Sequence, residues 1–365
     1  MTTSRTVEST DHPGVTVPTA IRAWSRWRWV RPSRWVLASI VLAGALLLGA
    51  LVGPAGLTAR SVLLELVGAL PGVHVDSGLT AQQQAILWQI RLPRVVLGAL
   101  VGASLAVSGA AYQGVFRNPL ADPYLLGVSA GAGLGATLAI VQGGAGLPFV
   151  VPLLAFAGGL LAVAATYALG NTVGGGRTSA VIVLAGVAVA AFFSAVQNFV
   201  QQRFDDSLLA VYSWMLGRLS TNGWTDVVMV LPPVALSWAL LLLHRRTLDV
   251  LAVGDVEAAS LGVDVARVRL TLVLVATLGT TSVVAVSGLI GFVGIIVPHA
   301  VRIVFGASHR LLLPLSMTFG AAFLVLADVV ARSAVAPAEL PIGVVTAMVG
   351  APFFLVVLRR NKVAA

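Results

Sequence analysis

The polar stretch 245–269 holds the residues whose types and spacing most suggest a functional site. It reads RRTLDVLAVGDVEAASLGVDVARVR and is bordered on both sides by apolar sequence. The pattern predicts two very short helices, because Gly254-Asp255 can begin the second and Glu257 in its first turn complements the helix dipole. Gly262 can end it. A helix of about two turns is marginal alone, so this stretch needs a partner surface that holds it.

If ATP is used, another polypeptide must bind and hydrolyse it. ATP hydrolysis needs a phosphate-binding loop of the pattern GxxxxGK[ST], and the single lysine, Lys362, stands in RRNKVAA near the last residue. A membrane-embedded enzyme would need a nucleophile-base pair or metal ligands within the apolar segments, and none is visible. We therefore expect no catalytic residue, no enzymatic activity and no cofactor in this chain.

A metal site is not expected either. The sequence contains no cysteine, which excludes disulfides, thiolate metal sites and cysteine nucleophiles. Four histidines are scattered, and His299, beside Pro298, is more typical of a structural residue than of a haem or metal ligand.

The composition identifies an all-α polytopic membrane protein. The 365 residues are 58% hydrophobic and only 10% charged, with a mean hydropathy of +0.96, whereas soluble proteins have about 25% charged residues. The net charge of +9 is explained by arginines in cytoplasmic loops, so no nucleic-acid partner is expected.

Ten apolar segments are close to the ~20 residues that a bilayer requires. With the N-terminus inside, most of the 23 lysines and arginines fall on the cytoplasmic side. Both termini and the stretch 245–269 are then cytoplasmic. The predicted spans are 35–53, 93–114, 125–142, 148–169, 180–200, 225–243, 268–286, 288–306, 311–331 and 341–358.

Besides the stretch 245–269, three segments outside these spans are long enough to describe. Residues 1–34 form a basic and aromatic cytoplasmic tail, partly disordered, whose Arg-Trp alternation suits the inner-leaflet headgroups. Residues 54–92 are external and contain a possible short helix, LTARSVLLELVGAL. Residues 201–226 are also external, and Arg203 and Arg218 in this segment could face anionic cargo.

Several long motifs resemble one known family. They are LWQIRLPRVVLGALVGASLAVSGAAYQGVFRNPLADPYLLGVSAGAGLGA, GDVEAASLGV, GLIGFVGIIVPHAVR, HRLLLPL and LADVVARSAVAPAELPIGVVTAMVGAPFF, in this order. Together they are similar to the FecCD family, the permease subunits of type II ABC importers for ferric siderophores, haem and cobalamin. The resemblance covers roughly 35–360, a ten-helix permease domain with a cytoplasmic coupling loop at 245–267.

The resemblance implies a homodimer in the bacterial cytoplasmic (inner) membrane, surrounded by lipid. Two cytoplasmic ATP-binding cassette subunits, which bind ATP and Mg, would drive it, and an extracytoplasmic substrate-binding protein would deliver cargo. The stretch GDVEAASLGV matches the family's coupling helices, although a solvated connecting loop is the alternative. The expected ATPase-coupling residues are Gly254, Asp255, Val256, Glu257, Ser260, Leu261 and Gly262.

The resemblance also implies docking and gating residues. Arg91, Arg94 and Arg332 match arginines that receive acids of the binding protein, and the alternative is that they snorkel to the headgroups. Asp328 can pair with Arg332 across one helical turn. A cytoplasmic gate would use Asn118, Leu120, Thr178 and Ser179, unless Asn118 and Pro119 merely turn the chain.

The leading hypothesis is an importer of an iron complex, either a ferric siderophore or haem. A cobalamin importer of the same architecture is the alternative, because the motifs do not separate these cargoes. An ion-coupled secondary transporter usually needs acids or histidines within the membrane, and only Asp328 is suitably placed.

Overall fold

The computed structural model describes residues 33–53, 56–73, 75–147, 149–172, 179–220 and 223–362. Over these ranges the regular structure is helical and contains no β-strand, which confirms the all-α class. The predicted tail at 1–34 lies outside the described residues except for its last two, which begin the first helix.

Fifteen α-helices follow one another along the described ranges, some of them joined by short 3-10 turns. In chain order they are α1 (Ser33–Leu51), α2 (Ala59–Gly68), α3 (Ala81–Ala85), α4 (Leu92–Phe116), α5 (Val128–Val141), α6 (Val150–Thr172), α7 (Ser179–Arg203), α8 (Leu208–Met215), α9 (Trp224–Leu243), α10 (Arg245–Val253), α11 (Asp255–Ser260), α12 (Val265–Ser287), α13 (Val293–Phe305), α14 (His309–Ser333) and α15 (Ile342–Lys362).

Each of the ten predicted spans contains one apolar helix, but they are not equally long. Seven of the described helices are long and apolar enough to cross a membrane, and three shorter apolar helices, Val128–Val141, Val293–Phe305 and the Ile342–Leu355 part of α15, occupy the other predicted spans. The helices α5 and α13 have only 14 and 13 residues, about 20 Å at 1.5 Å per residue, so each is shorter than the ~30 Å hydrocarbon core. The ten predicted spans are therefore not confirmed exactly, because the helices in these two segments are shorter than expected.

The backbone explains why α5 and α13 are short. Gly127 adopts a left-handed conformation (φ 82°) after a 3-10 turn, and α5 begins only beyond it. Phe292 is also left-handed (φ 69°) and ends an irregular segment that precedes α13. Such irregular backbone is tolerated at membrane depth where protein, and not lipid, surrounds it.

The second span begins earlier than predicted. The helix α3 continues through a π-helical turn, Ile86–Arg91, directly into α4. The continuous helix of 36 residues is about 54 Å long, so its first turns project beyond the membrane. These turns belong to the predicted external segment 54–92.

The short helix predicted in the external segment is confirmed as α2. The side chain of Thr58 caps its N-terminus, and Glu65 accepts hydrogen bonds from the Ser77 hydroxyl and the Trp88 indole at 2.6 and 3.0 Å. These bonds hold the pKa of Glu65 below its usual value and fasten α2 to the start of the long helix.

The helix α4 is the central element and is buried along nearly its whole length. A Cβ on Gly102 would collide with the backbone of Gly320 in α14, and one on Gly109 would collide with Gly294 in α13. Glycine therefore allows these helices to approach closely, as is common within membranes. The hydroxyl of Ser108 also donates to the Ala276 carbonyl oxygen of α12 at 3.1 Å.

Candidate functional site

Both short helices predicted within 245–269 are present. Gly254 separates α10 from α11. The helix α11 ends in a turn in which the Gly262 N–H donates to the Ala259 carbonyl oxygen at 2.9 Å. Gly262 has a left-handed φ of 83°, which glycine adopts without steric cost. Asp264 then caps α12 by accepting the Arg267 N–H at 3.0 Å.

Asp255, predicted as an ATPase contact, forms ion pairs within the chain. Both of its carboxylate oxygens accept hydrogen bonds from Nη2 of Arg269 at 3.0 Å. Its Oδ1 also lies 3.3 Å from Nη2 of Arg117, the left-handed residue that ends α4. The Arg269 side chain is only 5% exposed, so loss of this partner would leave a buried charge less well compensated. Asp255 thus fastens α11 to α4 and α12.

The opposite face of α11 is apolar and open. Val256 is 78% exposed and Leu261 is 69% exposed, and Val253 at the end of α10 is 68% exposed. Glu257 and Ser260 are exposed beside them, whereas Ala258 is fully buried against the protein. The surface formed by Val253, Val256, Glu257 and Leu261 is called the coupling surface below.

The helix α10 is attached to a membrane helix through Asp249. Its Oδ1 accepts the backbone N–H of His309 at 2.7 Å and lies 2.8 Å from Nδ1 of the same residue, while its Oδ2 accepts the Ser308 hydroxyl at 3.1 Å. The carboxylate therefore caps α14 from another helix, where an acid is favoured by the helix dipole.

The residues of the expected cytoplasmic gate are only partly described. Asn118 and Leu120 are exposed, and the Asn118 side-chain oxygen accepts the Leu120 N–H at 3.0 Å. This is the geometry of a side-chain-capped turn, as in the turn alternative. Thr178 lies outside the described residues, and Ser179 is the first residue of α7. The gating role of all four residues stays a prediction.

The three arginines expected to dock a binding protein lie close together at one end of the molecule. Arg91 donates to the Ala50 and Leu51 carbonyl oxygens at 3.1 and 3.2 Å. Arg332 donates to the Gly49 carbonyl oxygen at 2.7 Å. Each of these two arginines is only 4% exposed. Their guanidinium groups therefore donate to the C-terminal carbonyl oxygens of α1 and do not extend to the lipid headgroups.

Arg94 is the outermost of the three. Its guanidinium donates to the Asp328 carboxylate at 2.8–3.2 Å and to the two Glu339 oxygens at 2.9 and 3.0 Å. The predicted pair between Asp328 and Arg332 is confirmed, with 3.3 Å between Oδ2 and Nε. Asp328 is thus shared by two arginines, and Glu339 covers the exposed side of Arg94.

A cavity of about 710 Å³ opens beside these residues, among the ends of α6, α8, α9 and α12. Arg218 and Asp226 line it together with the hydroxyls of Ser213, Ser220 and Thr225. Arg218 is thus placed where an anionic group could enter. Arg203 is exposed at the end of α7 and does not line this cavity.

No group of histidines and acids in the described ranges could hold a metal ion. His299, predicted to be structural, packs edge-on against Phe353 with 6.2 Å between ring centroids.

Sequence reasoning missed four residues that organise these sites: Arg117, Asp249, Arg269 and Glu339. Each is a charged residue in or beside a polar stretch, which is a weak signal. Their partners lie 14 to 245 positions away, so only the fold reveals the pairs.

Comparisons with known proteins agree with this description. The profile of the FecCD transport family matches residues 40–360. The cobalamin import system permease protein BtuC of Halobacterium salinarum is 42% identical over 362 residues, covering 90% of this chain and 96% of the relative. The hemin transport system permease protein HmuU of Yersinia pestis is 41% identical over 287 residues, covering 76% and 84%.

A solved structure shares the architecture. It is an inward-facing protein assigned to the metal-chelate type of ABC transporters, with a TM-score of 0.78 and 30% identity. The match covers 90% of this chain and 99% of the other.

Proposed function

This chain belongs to the FecCD transport family and is a permease subunit of an ABC importer, and we propose that it carries an iron complex across the cytoplasmic membrane. Relatives of this chain are named for the transport of cobalamin, hemin and Fe(3+) dicitrate. We favour a ferric siderophore or haem, and keep cobalamin as the alternative because a relative with that name covers most of the chain.

The observation that carries the proposal is the coupling surface. Val253, Val256 and Leu261 are exposed beyond the apolar spans, where they gain nothing from lipid if α10 and α11 are cytoplasmic. Apolar side chains in such a position mark a protein interface. With no phosphate-binding loop in the sequence, this interface is proposed to receive a separate ATPase, which binds ATP and Mg.

We propose different roles for the two acids of α11. Glu257 is exposed and is free to meet a basic residue of the ATPase, whereas Asp255 is paired with Arg269 and Arg117. Asp255 would transmit a movement of α11 to the end of α4, beside the gate residues Asn118 and Leu120.

Exposed apolar residues on two membrane helices suit the proposed homodimer. Leu184, Phe192 and Phe199 of α7 are largely exposed, as is Met348 of α15. These faces can pack against a second copy or against lipid. The binding protein is proposed to dock near Arg94, on the side opposite to the coupling surface.

The geometry disfavours the secondary-transporter alternative. An ion-coupled relay needs a carboxylate that can take up and release a proton within the membrane. Asp328 is almost completely buried, and both Arg94 and Arg332 form ion pairs with its carboxylate. It therefore suits a structural role.

The docking proposal is tested with the substitution Val256→Asp. Burying a valine at an interface stabilises it by about 1.5 kcal/mol or more, so the variant should bind the purified ATPase subunit at least about tenfold more weakly. Val335→Asp is the matched control, because Val335 is also exposed but lies at the opposite end of the molecule. Equal affinity of the two variants would reject the coupling surface.

A further inference from the structure

The loop between α14 and α15 places an acid on the outermost docking arginine. Glu339 forms a two-point pair with Arg94, with 2.9 and 3.0 Å between the nitrogen and oxygen atoms. The Glu339 side chain is 44% exposed, whereas that of Arg94 is 14% exposed. Arg94 keeps Asp328 as a second, buried partner. The Arg94–Asp328 pair is therefore buried, whereas the Arg94–Glu339 pair is accessible to an incoming partner.

The same pair lines a cavity of about 260 Å³ together with Arg218. Ser213 and Ser220 supply hydroxyl groups to its wall. Because Arg94 and Arg218 both line this cavity, a carboxylate that enters it can be attracted by two guanidinium groups.

The walls of this cavity are fixed by backbone hydrogen bonds. The Arg218 N–H donates to the Ser287 carbonyl oxygen at 2.8 Å, and the Leu340 N–H donates to the Ala331 carbonyl oxygen at 2.8 Å. A third bond runs from the Gly343 N–H to the Leu216 carbonyl oxygen at 3.1 Å. The two loops are thus anchored to helix ends, and the Glu339 side chain can leave without the loops unfolding.

The local charge balance is positive even with Glu339 in place. Four guanidinium groups, those of Arg91, Arg94, Arg218 and Arg332, lie at this end of the molecule with three acidic neighbours, Asp226, Asp328 and Glu339. Arg91 and Arg332 are buried and bonded to carbonyl oxygens. Arg94 and Arg218 are therefore the charges that an incoming protein can reach.

We infer that this cavity receives a carboxylate of the substrate-binding protein between Arg94 and Arg218, and that Glu339 occupies the site until the partner displaces it. The inference rests on the proposed docking near Arg94 and adds Arg218 as a docking residue and Glu339 as an internal competitor. An exposed ion pair contributes little to stability, so one carboxylate replaces another at small cost.

The test measures binding of the purified substrate-binding protein of the same transport system to the permease–ATPase complex in nanodiscs at low salt. Glu339→Gln removes the competing charge and should tighten binding about threefold. This factor lies within the range that exposed ion pairs contribute. Arg218→Gln should weaken it by a similar factor, because only an exposed charge is lost. Arg94→Gln should weaken it about tenfold or more, because a charged hydrogen bond is lost.

Matched controls remove the same charges elsewhere on the external side. Asp206→Asn and Arg203→Gln change exposed residues near the end of α7, which do not line the cavity. Thermal unfolding of each variant checks that the fold is kept, and Glu339→Ala repeats the test with a shorter side chain.

The outcomes separate this inference from the docking proposal. If Glu339→Gln and Glu339→Ala bind no better than Asp206→Asn while Arg94→Gln binds weakly, the competitor role is wrong and docking at Arg94 stands. If Arg218→Gln matches Arg203→Gln, Arg218 is not a docking residue. If Arg94→Gln binds normally, the docking proposal itself fails.

Discussion

The substitution Asp255→Asn removes the charge that fastens α11 to the membrane helices. Asp255 accepts two 3.0 Å hydrogen bonds from Arg269, which is only 5% exposed, and lies 3.3 Å from Arg117. A hydrogen bond to a charged group contributes about 1.5–3 kcal/mol. Because Asp255 is 42% exposed, solvent screening reduces this, and we expect a loss of about 1–2 kcal/mol.

The assay compares Asp255→Asn with Glu257→Gln, which removes the same charge two residues further along α11. Glu257 is exposed and has no side-chain ion pair within the described ranges, so its substitution should change stability by less than about 0.5 kcal/mol. Unfolding of the detergent-solubilised chain is followed by denaturant titration, and binding of the ATPase subunit is measured in parallel.

The two variants should differ in which property they change, stability or ATPase binding. Asp255→Asn should lower the free energy of unfolding, and Glu257→Gln should mainly weaken ATPase binding. A double-mutant cycle with Arg117→Gln then isolates the pair that reaches α4. If Asp255→Asn leaves stability unchanged and weakens only ATPase binding, Asp255 is a direct contact and its positioning role is refuted.

Three further predictions follow from the packing and capping contacts. Gly109→Val should destabilise the chain by about 1–3 kcal/mol or more, because its side chain would meet the backbone of Gly294; denaturant titration measures the loss. Asp249→Asn should cost about 1 kcal/mol through the weakened cap of α14, seen as faster hydrogen exchange at its first turn. Glu65, whose pKa is held below its usual value mainly by the Ser77 hydroxyl, stabilises α2 above its unfolded pKa, so the protection of the α2 amides from hydrogen exchange should decrease only as pH falls below that usual value.

Each of these three predictions has a control or an outcome that would contradict it. Gly291→Val adds the same side chain at a glycine with open space around it, and equal losses at both glycines would contradict the close-packing explanation. Unchanged exchange at the start of α14 in Asp249→Asn would show that its cap is dispensable. For Glu65, a loss of protection at low pH that persists in Glu65→Gln would assign the acid effect to another group.

Hydropathy was sufficient to locate the membrane helices but not their lengths. The apolar segments around α5 and α13 look like full spans, yet left-handed residues at Gly127 and Phe292 shorten the helices. Nothing in the hydropathy pattern marks such backbone, because buried irregular segments are as apolar as helices. The continuation of α3 into α4 was hidden by the polar residues of its external turns.

The sequence motifs located the candidate sites but did not predict the contacts within them. The stretch 245–269 was recognised from its polarity, and both of its helices formed as expected. The sequence could not reveal that Asp255 is held by Arg117, 138 positions earlier, nor that Glu339 covers Arg94. Such pairs depend on which helix ends meet, and charge type alone does not determine that.

The most direct test of the proposed function is uptake by proteoliposomes that contain this chain and its ATPase subunits. The purified binding protein, loaded with a ferric siderophore or with haem, is added outside, and ATP is enclosed. We predict accumulation that requires ATP and is blocked by vanadate. Uptake that is driven by a proton gradient without ATP would contradict the assignment as an ATP-driven importer.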